Sequence, residues 1–179
     1  MQHRDLVRVS KKMSFALRHD PARFSLALDR AGWTPVADLL AALGITRVQL
    51  DAVVAGNDKQ RFAVERGPDG VDRIRANQGH SVPVDLGLAP ATPPDLLYHG
   101  TSESAVPAIR AEGLRRGRRH HVHLSPDVET ARRVGARRDG AVMVLTVDAA
   151  AMADDGFVFY RSPNGVWLTA SVPPAYLHA

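Results

Sequence analysis

Apolar residues at Leu6, Val9, Met13 and Leu17 recur at helical spacing, and Asp20-Pro21 closes the run, because proline disfavours helical geometry at the residue before it. The pattern predicts an opening amphipathic helix whose last turn carries Arg18 and His19. ARFSLALDRAG reads as a second short helix closed by Gly32, and Thr34-Pro35 as a cap and first-turn proline for VADLLAAL. A further helix is predicted from Thr46 to Ala55. The period then changes. Phe62-Ala63-Val64-Glu65 and Val71-Asp72-Arg73-Ile74 alternate apolar and polar positions and are joined through Gly67-Pro68-Asp69-Gly70, which predicts a hairpin. Helices followed by such a two-stranded wing suggest a winged-helix lobe, an architecture that serves nucleic-acid and protein contacts alike.

Residues 82–95 are rich in proline, glycine and alanine and read as a linker. Beyond it, Leu96-Leu97-Tyr98-His99 predicts a strand, Ser102 to Glu112 a helix ended by Gly113, and His121-Val122-His123-Leu124 another strand. Ser125-Pro126 repeats the cap-and-proline signal before ETARRVGAR. Ala141 to Val147 is an apolar, β-branched run typical of a buried strand, and Phe157-Tyr160 and Val166-Val172 add more. The pattern is that of an α+β protein with two lobes.

With 45% hydrophobic residues among 179, the chain can bury a full core. No run approaches the roughly 18 apolar residues of a membrane span, and MQHRDLVRVSKK lacks the apolar stretch of a signal peptide, so a cytoplasmic protein is expected. The absence of cysteine excludes disulfides, thiolate nucleophiles and cysteine-ligated metal. Charge is uneven. Residues 1–79 carry thirteen Lys and Arg against nine Asp and Glu, whereas residues 80–179 carry ten of each, so the net +4 belongs to the first half. A polyanion is the expected partner of that half.

Arg18 and His19 have two readings. Cations at a helix C-terminus favour the exposed carbonyls by about 0.3–1 kcal/mol, and the same pair suits an anion site: a guanidinium fits phosphate oxygens, and imidazole exchanges protons near neutrality. In Tyr98-His99-Gly100-Thr101 a histidine ends a strand, glycine lets a ligand approach the backbone and a hydroxyl follows. That is either a ligand cradle or a helix cap. His121 and His123 share one strand face and His120 lies on the other, but no acid in the segment completes a zinc site. Arg61 and Arg137, one per lobe, could close on a phosphate held by Arg18 and His19. Neither G-x-x-x-x-G-K-[ST], nor G-x-G-x-x-G opening a helix, nor G-x-S-x-G occurs, so kinase, NTPase, Rossmann dehydrogenase and α/β-hydrolase readings fall away.

In chain order, Ser14-Phe15-Ala16-Leu17-Arg18-His19, Lys59-Gln60-Arg61-Phe62, Ile74-Arg75-Ala76-Asn77-Gln78-Gly79-His80-Ser81, Tyr98-His99-Gly100-Thr101, His123-Leu124-Ser125, Val134-Gly135-Ala136-Arg137 and Asn164-Gly165-Val166-Trp167-Leu168 resemble the motifs of the NAD-dependent RNA 2′-phosphotransferases, the tRNA-splicing type known as KptA in bacteria. The resemblance implies a winged-helix RNA-binding lobe at 1–81, a linker at 82–95 and an ADP-ribosyltransferase-type β-sandwich lobe with flanking helices at 96–179. It implies a catalytic set of Arg18, His19, Arg61 and Arg137. NAD⁺, the co-substrate, would meet His99, Gly100, Thr101, His123, Leu124, Ser125, Arg132 and Val166. RNA carrying a 2′-phosphate would meet Lys11, Lys12, Arg23, Gln78 and His80. A monomer working without metal is expected.

The chain departs from the family in carrying Arg138-Asp139 after Arg137, which leaves open which arginine faces the site. Toxin-like relatives grip the nicotinamide ribose hydroxyl with a late glutamate. Asn164 to Ala170 contains no acid, so that hydroxyl would be left to attack phosphorus. Two other readings compete: an ADP-ribosyltransferase acting on nucleic-acid terminal phosphates or on protein without a second step, and a winged-helix regulator that senses NAD⁺ without turnover.

Overall fold

The computed structural model describes residues 3–56, 60–137 and 140–178, and the chain divides into two compact units, Met1–Gly87 and Leu88–Ala179. Both mix helix and sheet, as an α+β protein should.

In the first unit, helix α1 (His3–Arg18) turns Val9, Met13, Ala16 and Leu17 into the core, where the last three are fully buried. Helices α2 (Val36–Leu43) and α3 (Arg47–Ala55) add Val36, Leu39, Leu43, Leu50 and Val53 to the same core. Each such side chain contributes about 1.5–3 kcal/mol by leaving water. A capping box starts α3: Thr46 accepts from the Gln49 amide, and the Gln49 side chain accepts from the Thr46 amide. Strands β2 (Phe62–Arg66) and β3 (Asp72–Ala76) form the expected hairpin, in a register that pairs Phe62 with Ala76 and Arg66 with Asp72. A third strand, β1 (Thr34–Pro35), pairs antiparallel with β3 on the other side.

Two expectations fail here. Only a three-residue turn of 3-10 helix forms in the second segment, at Ala22–Phe24, because Ser25 takes a left-handed conformation (φ 53°) that stops propagation. The Asp29 side chain then accepts from the amides of Ala31 and Trp33, building a turn instead of helix. Thr34 caps nothing: it is 2% exposed and sits opposite Ile74 in the sheet, so α2 starts without a side-chain cap.

In the second unit, β4 (Leu96–Ser102) pairs along its whole length with β7 (Val142–Asp148), which also pairs with β11 (Leu177–His178). A second sheet runs in the order β6 (Val122–Leu124), β9 (Trp167–Thr169), β8 (Phe159–Arg161). Two short strands, β5 (Leu114–Arg115) and β10 (Ser171–Val172), pair with each other. Leu97 and Val147 of one sheet and Leu124, Phe159 and Trp167 of the other share one core with Met152 of helix α6 (Ala149–Asp154). The sheets are tied where Tyr98 and Ser125 exchange backbone hydrogen bonds of 2.9 and 2.7 Å. Helix α4 (Val106–Glu112) follows a short 3-10 turn, so the expected helix from Ser102 begins late.

Helix α5 (Val128–Gly135) is capped by Asp127, which accepts from the Thr130 amide at 2.7 Å; Ser125 belongs to the strand junction and not to the cap. That hydrogen bond holds the Asp127 carboxyl below the usual carboxylate range. The cap is therefore intact at mildly acidic pH and lost as pH falls through the lowered value. Asp127→Ala is expected to lower stability by about 1 kcal/mol, read as a lower urea midpoint; an unchanged midpoint would contradict the cap.

Among the described residues no helix is long and apolar enough to cross a membrane, and no cluster of three or more potential metal-ligating side chains occurs.

Candidate functional site

Helix α1 ends because Pro21 follows Asp20, and the amides of His19 and Asp20 both fall back on the Phe15 carbonyl. The Arg18 carbonyl, left without an intrahelical donor, is taken up by the amides of Ser81 (2.8 Å) and Val82 (3.3 Å). The segment after β3 is thereby anchored to the helix end and brings partners to both charged residues. Arg18 donates to the Arg61 carbonyl at 3.4 Å and lies over the Phe62 ring at 5.9 Å. The Arg61 carbonyl also accepts from the Asn77 amide at 2.9 Å, and Asn77 donates its side-chain amide to Gln60. Gly79, at φ 87°, passes beside the guanidinium: a Cβ there would lie 3.7 Å from Arg18 Nη1. His19 is exposed, with Nδ1 3.0 Å from Ser81 Oγ.

Arg18 and His19, with the backbone carbonyl of Arg61, thus belong to one hydrogen-bonded neighbourhood. Asn77 and Ser81 build it. Both were legible only as letters in a motif, since their partners lie far away in the chain. In a protonated His19 both ring nitrogens donate, so Ser81 Oγ accepts from Nδ1 and directs its own hydrogen toward the Arg18 carbonyl, 3.4 Å away. Nε2 is then the atom that can hand over a proton.

The expected RNA contacts separate. Lys11 and Arg23 are exposed, and Arg23 lies over the Phe15 ring at 5.8 Å. Gln78 is half-buried. The Lys12 ammonium donates to the Leu43 carbonyl at 2.6 Å, so it caps the C-terminus of α2. His80 is 2% exposed and packs beside Gly32. Lys59, the first residue of its motif, lies outside the described residues.

In the second unit, His99 on β4 donates from Nδ1 to the His123 carbonyl at 3.1 Å. A carbonyl only accepts, so the proton is on Nδ1. His123 on β6 faces the opposite constraint: Arg119 donates to its Nδ1 at 3.3 Å, which places the proton on Nε2. The two imidazoles are held in opposite tautomers. Arg119→Gln is expected to release the tautomer of His123 and leave that of His99 unchanged, read from long-range ¹⁵N–¹H correlations of the imidazoles. No change at His123 would contradict this arrangement.

Leu124 and Ser125 continue β6 into the junction with Tyr98, and Ser125 is 9% exposed. Val166 is half-buried in the turn between β8 and β9, where the buried Ser162 hydroxyl accepts from the Val166 amide at 3.1 Å. Arg132 is exposed on α5, and Arg137 is exposed just past its end. Arg138, the competing arginine, lies outside the described residues. His121 packs on Tyr160 with ring centroids 5.4 Å apart; burial, then the charges of His120 and Arg116, holds its pKa below the ordinary value.

Gly100 and Thr101 also have a packing role. Both are buried, and a Cβ on Gly100 would fall 1.8 Å from the Ala131 carbonyl oxygen. The glycine admits the backbone of α5.

The family model of the RNA 2′-phosphotransferase, Tpt1/KptA family matches residues 4–171. A probable RNA 2′-phosphotransferase of Streptomyces griseus subsp. griseus is 58% identical over 186 residues, covering 99% of this chain and 98% of the relative. Its counterpart in Streptomyces coelicolor is 57% identical over 182 residues, covering 99% and 97%. One from Trichormus variabilis is 50% identical over 183 residues, covering 99% and 98%. With seven motifs in order and relatives matched end to end, the chain belongs to the RNA 2′-phosphotransferase, Tpt1/KptA family of transferases.

Proposed function

We propose that the protein transfers an internal 2′-phosphate from RNA to NAD⁺, giving RNA with a 2′-hydroxyl, ADP-ribose 1″,2″-cyclic phosphate and nicotinamide. The observation that carries this reading is the neighbourhood of Arg18, His19 and Arg61 at the end of α1, gathered by the segment from Asn77 to Ser81. The Arg18 guanidinium and the His19 imidazole suit a phosphate dianion, which needs charge neutralisation and, later, a proton; Arg61, joined to them through its backbone carbonyl, is proposed to add a second guanidinium. Arg137 is the proposed fourth member of the set. The first unit takes the role of a winged-helix RNA-binding lobe (1–81) and the second that of an ADP-ribosyltransferase-type lobe (96–179), joined through 82–95.

The donor set of the second unit fits a dinucleotide. It offers two imidazoles in fixed and opposite tautomers, the Ser125 hydroxyl, and the exposed guanidinia of Arg132 and Arg137 for a pyrophosphate. NAD⁺ supplies an electrophilic ribose carbon with nicotinamide as leaving group, and an adjacent hydroxyl.

Arg18 and Arg61 hold the RNA 2′-phosphate, which is already an anion and attacks without a base, so orientation dominates this first step. In the second step the ribose hydroxyl attacks phosphorus and releases its proton to solvent, while the RNA 2′-oxygen leaves. His19 Nε2 gives that oxygen its proton, and the arginines neutralise the charge that develops around phosphorus. The protein would act as a monomer in the cytoplasm, with no metal.

The test is a paired incubation of a short RNA bearing one 2′-phosphate, with and without NAD⁺. Nicotinamide release and loss of the 2′-phosphate should occur together, and neither should occur without NAD⁺ or with the 2′-hydroxyl RNA. ADP-ribose that stays on the RNA would favour an enzyme that stops after the first step.

A further inference from the structure

Lys11 and Phe15 on α1 and His19 just past its end follow one another at four-residue intervals and form a single stripe, away from the core face of Val9, Met13, Ala16 and Leu17. All three are exposed, Phe15 to 39%, whereas Met13 and Leu17 of the same helix are fully buried. A single exposed apolar residue is ordinary. Phe15 is not single. Phe24 meets it edge-on at a centroid distance of 6.2 Å, His19 is tilted beside it at 6.1 Å, and Arg23 lies over it at 5.8 Å. Asp20 accepts from the Arg23 amide and fixes the turn that presents both Arg23 and Phe24 to the ring. An aromatic face flanked by exposed cations, one helical turn from the proposed phosphate site, matches the chemistry by which proteins hold unpaired nucleotides: π-stacking on the base and positive charge along the backbone.

We propose that Phe15, supported by Phe24 and flanked by Arg23 and Lys11, is a stacking platform for an unpaired base next to the 2′-phosphorylated nucleotide. Phe15 receives the base. Arg23 and Lys11 take the neighbouring backbone phosphates. The site would therefore select single-stranded over paired RNA around the phosphate without reading base identity, since every base has a π-face. This rests on the reading that Arg18 and His19 hold the 2′-phosphate, and the two claims can be tested apart.

The experiment measures binding of the full chain, without NAD⁺, to a short single-stranded RNA with one internal 2′-phosphate and to the same RNA with an abasic ribose on either side of it. Phe15→Leu, which keeps an apolar side chain but removes the π-face, should weaken binding to the intact RNA about 10-fold, the size of one base-aromatic stack. One of the two abasic RNAs should bind the wild-type protein correspondingly more weakly, and Phe15→Leu should cost nothing further with that RNA. Phe15→Trp should bind at least as tightly as the wild type. Equal binding by Phe15→Leu and the wild type, or a loss that persists in full on both abasic RNAs, overturns the platform; so does a Phe15→Trp protein that binds as weakly as Phe15→Leu. The same RNA with a 2′-hydroxyl judges the phosphate site separately. If removing the phosphate leaves wild-type affinity unchanged, the placement of the phosphate at Arg18 and His19 fails, whatever the abasic comparison returns.

Discussion

His19→Ala should slow release of the RNA 2′-hydroxyl by about 10²–10⁴-fold, the usual contribution of a positioned proton donor, while slowing nicotinamide release far less. The difference follows from what each step asks of the ring. A 2′-phosphate attacking the ribose carbon needs no proton, whereas an RNA 2′-oxygen leaving phosphorus does. RNA carrying ADP-ribose on its 2′-phosphate should consequently accumulate in single-turnover reactions of this variant. The position of His19 favours the role: it is exposed at the end of α1, and the contact of Nδ1 with Ser81 Oγ orients the ring. Equal slowing of both steps would assign His19 to binding and not to proton transfer.

Gly100→Ala should lower the stability of the folded protein by about 3 kcal/mol or more, near the upper end of what overpacking costs. The added Cβ would meet the Ala131 carbonyl oxygen at 1.8 Å, its carbon at 2.7 Å and the Gly135 nitrogen at 2.9 Å, all backbone atoms of α5 that no rotamer change can move. Gly135 faces the same crowding in return: a Cβ there would lie 3.0 Å from the Gly100 carbonyl carbon and 2.7 Å from Val142 Cγ1. The helix must lift off the strand that carries His99, so the proposed NAD⁺ site should suffer with it. Gly100 does not have a left-handed backbone, so the penalty is steric and not conformational. Urea unfolding measures it, and a loss below about 1 kcal/mol would show that α5 slides aside cheaply.

Local signals in the chain accounted for much of the fold wherever a residue's partners are near in sequence. The apolar spacing of α1, the Thr46 start of α3 and the turn at Gly67-Pro68-Asp69-Gly70 all lie in single windows, and the structure has each. The failures are places where a distant partner outweighs local preference. Thr34-Pro35 looks like a helix start, but Ile74 and Arg73 recruit it as a strand. Ser125-Pro126 looks the same, but Tyr98 claims Ser125 and the cap falls to Asp127. β5, β10 and β11 are two-residue strands with no pattern of their own, defined by the strands they meet.

The candidate site divides in the same way. Arg18 and His19 could be singled out because a helix end with adjacent cations is a local feature. Ser81, Asn77 and Arg119 could not, since each acts through a hydrogen bond, and only coordinates show what that bond holds. His80 and Lys12 carry the right charge type for an RNA contact, but the burial of the first and the Leu43 carbonyl beside the second depend on distant parts of the chain and could not be read from it.

The most direct measurement follows the phosphorus atom itself. An RNA with a single ³²P-labelled 2′-phosphate is incubated with the protein and unlabelled NAD⁺, and the label is located by chromatography. All of it should leave the RNA and appear in ADP-ribose 1″,2″-cyclic phosphate, with Arg18→Ala abolishing the transfer. Label that remains on RNA, or that emerges as inorganic phosphate while NAD⁺ stays intact, would contradict the assignment.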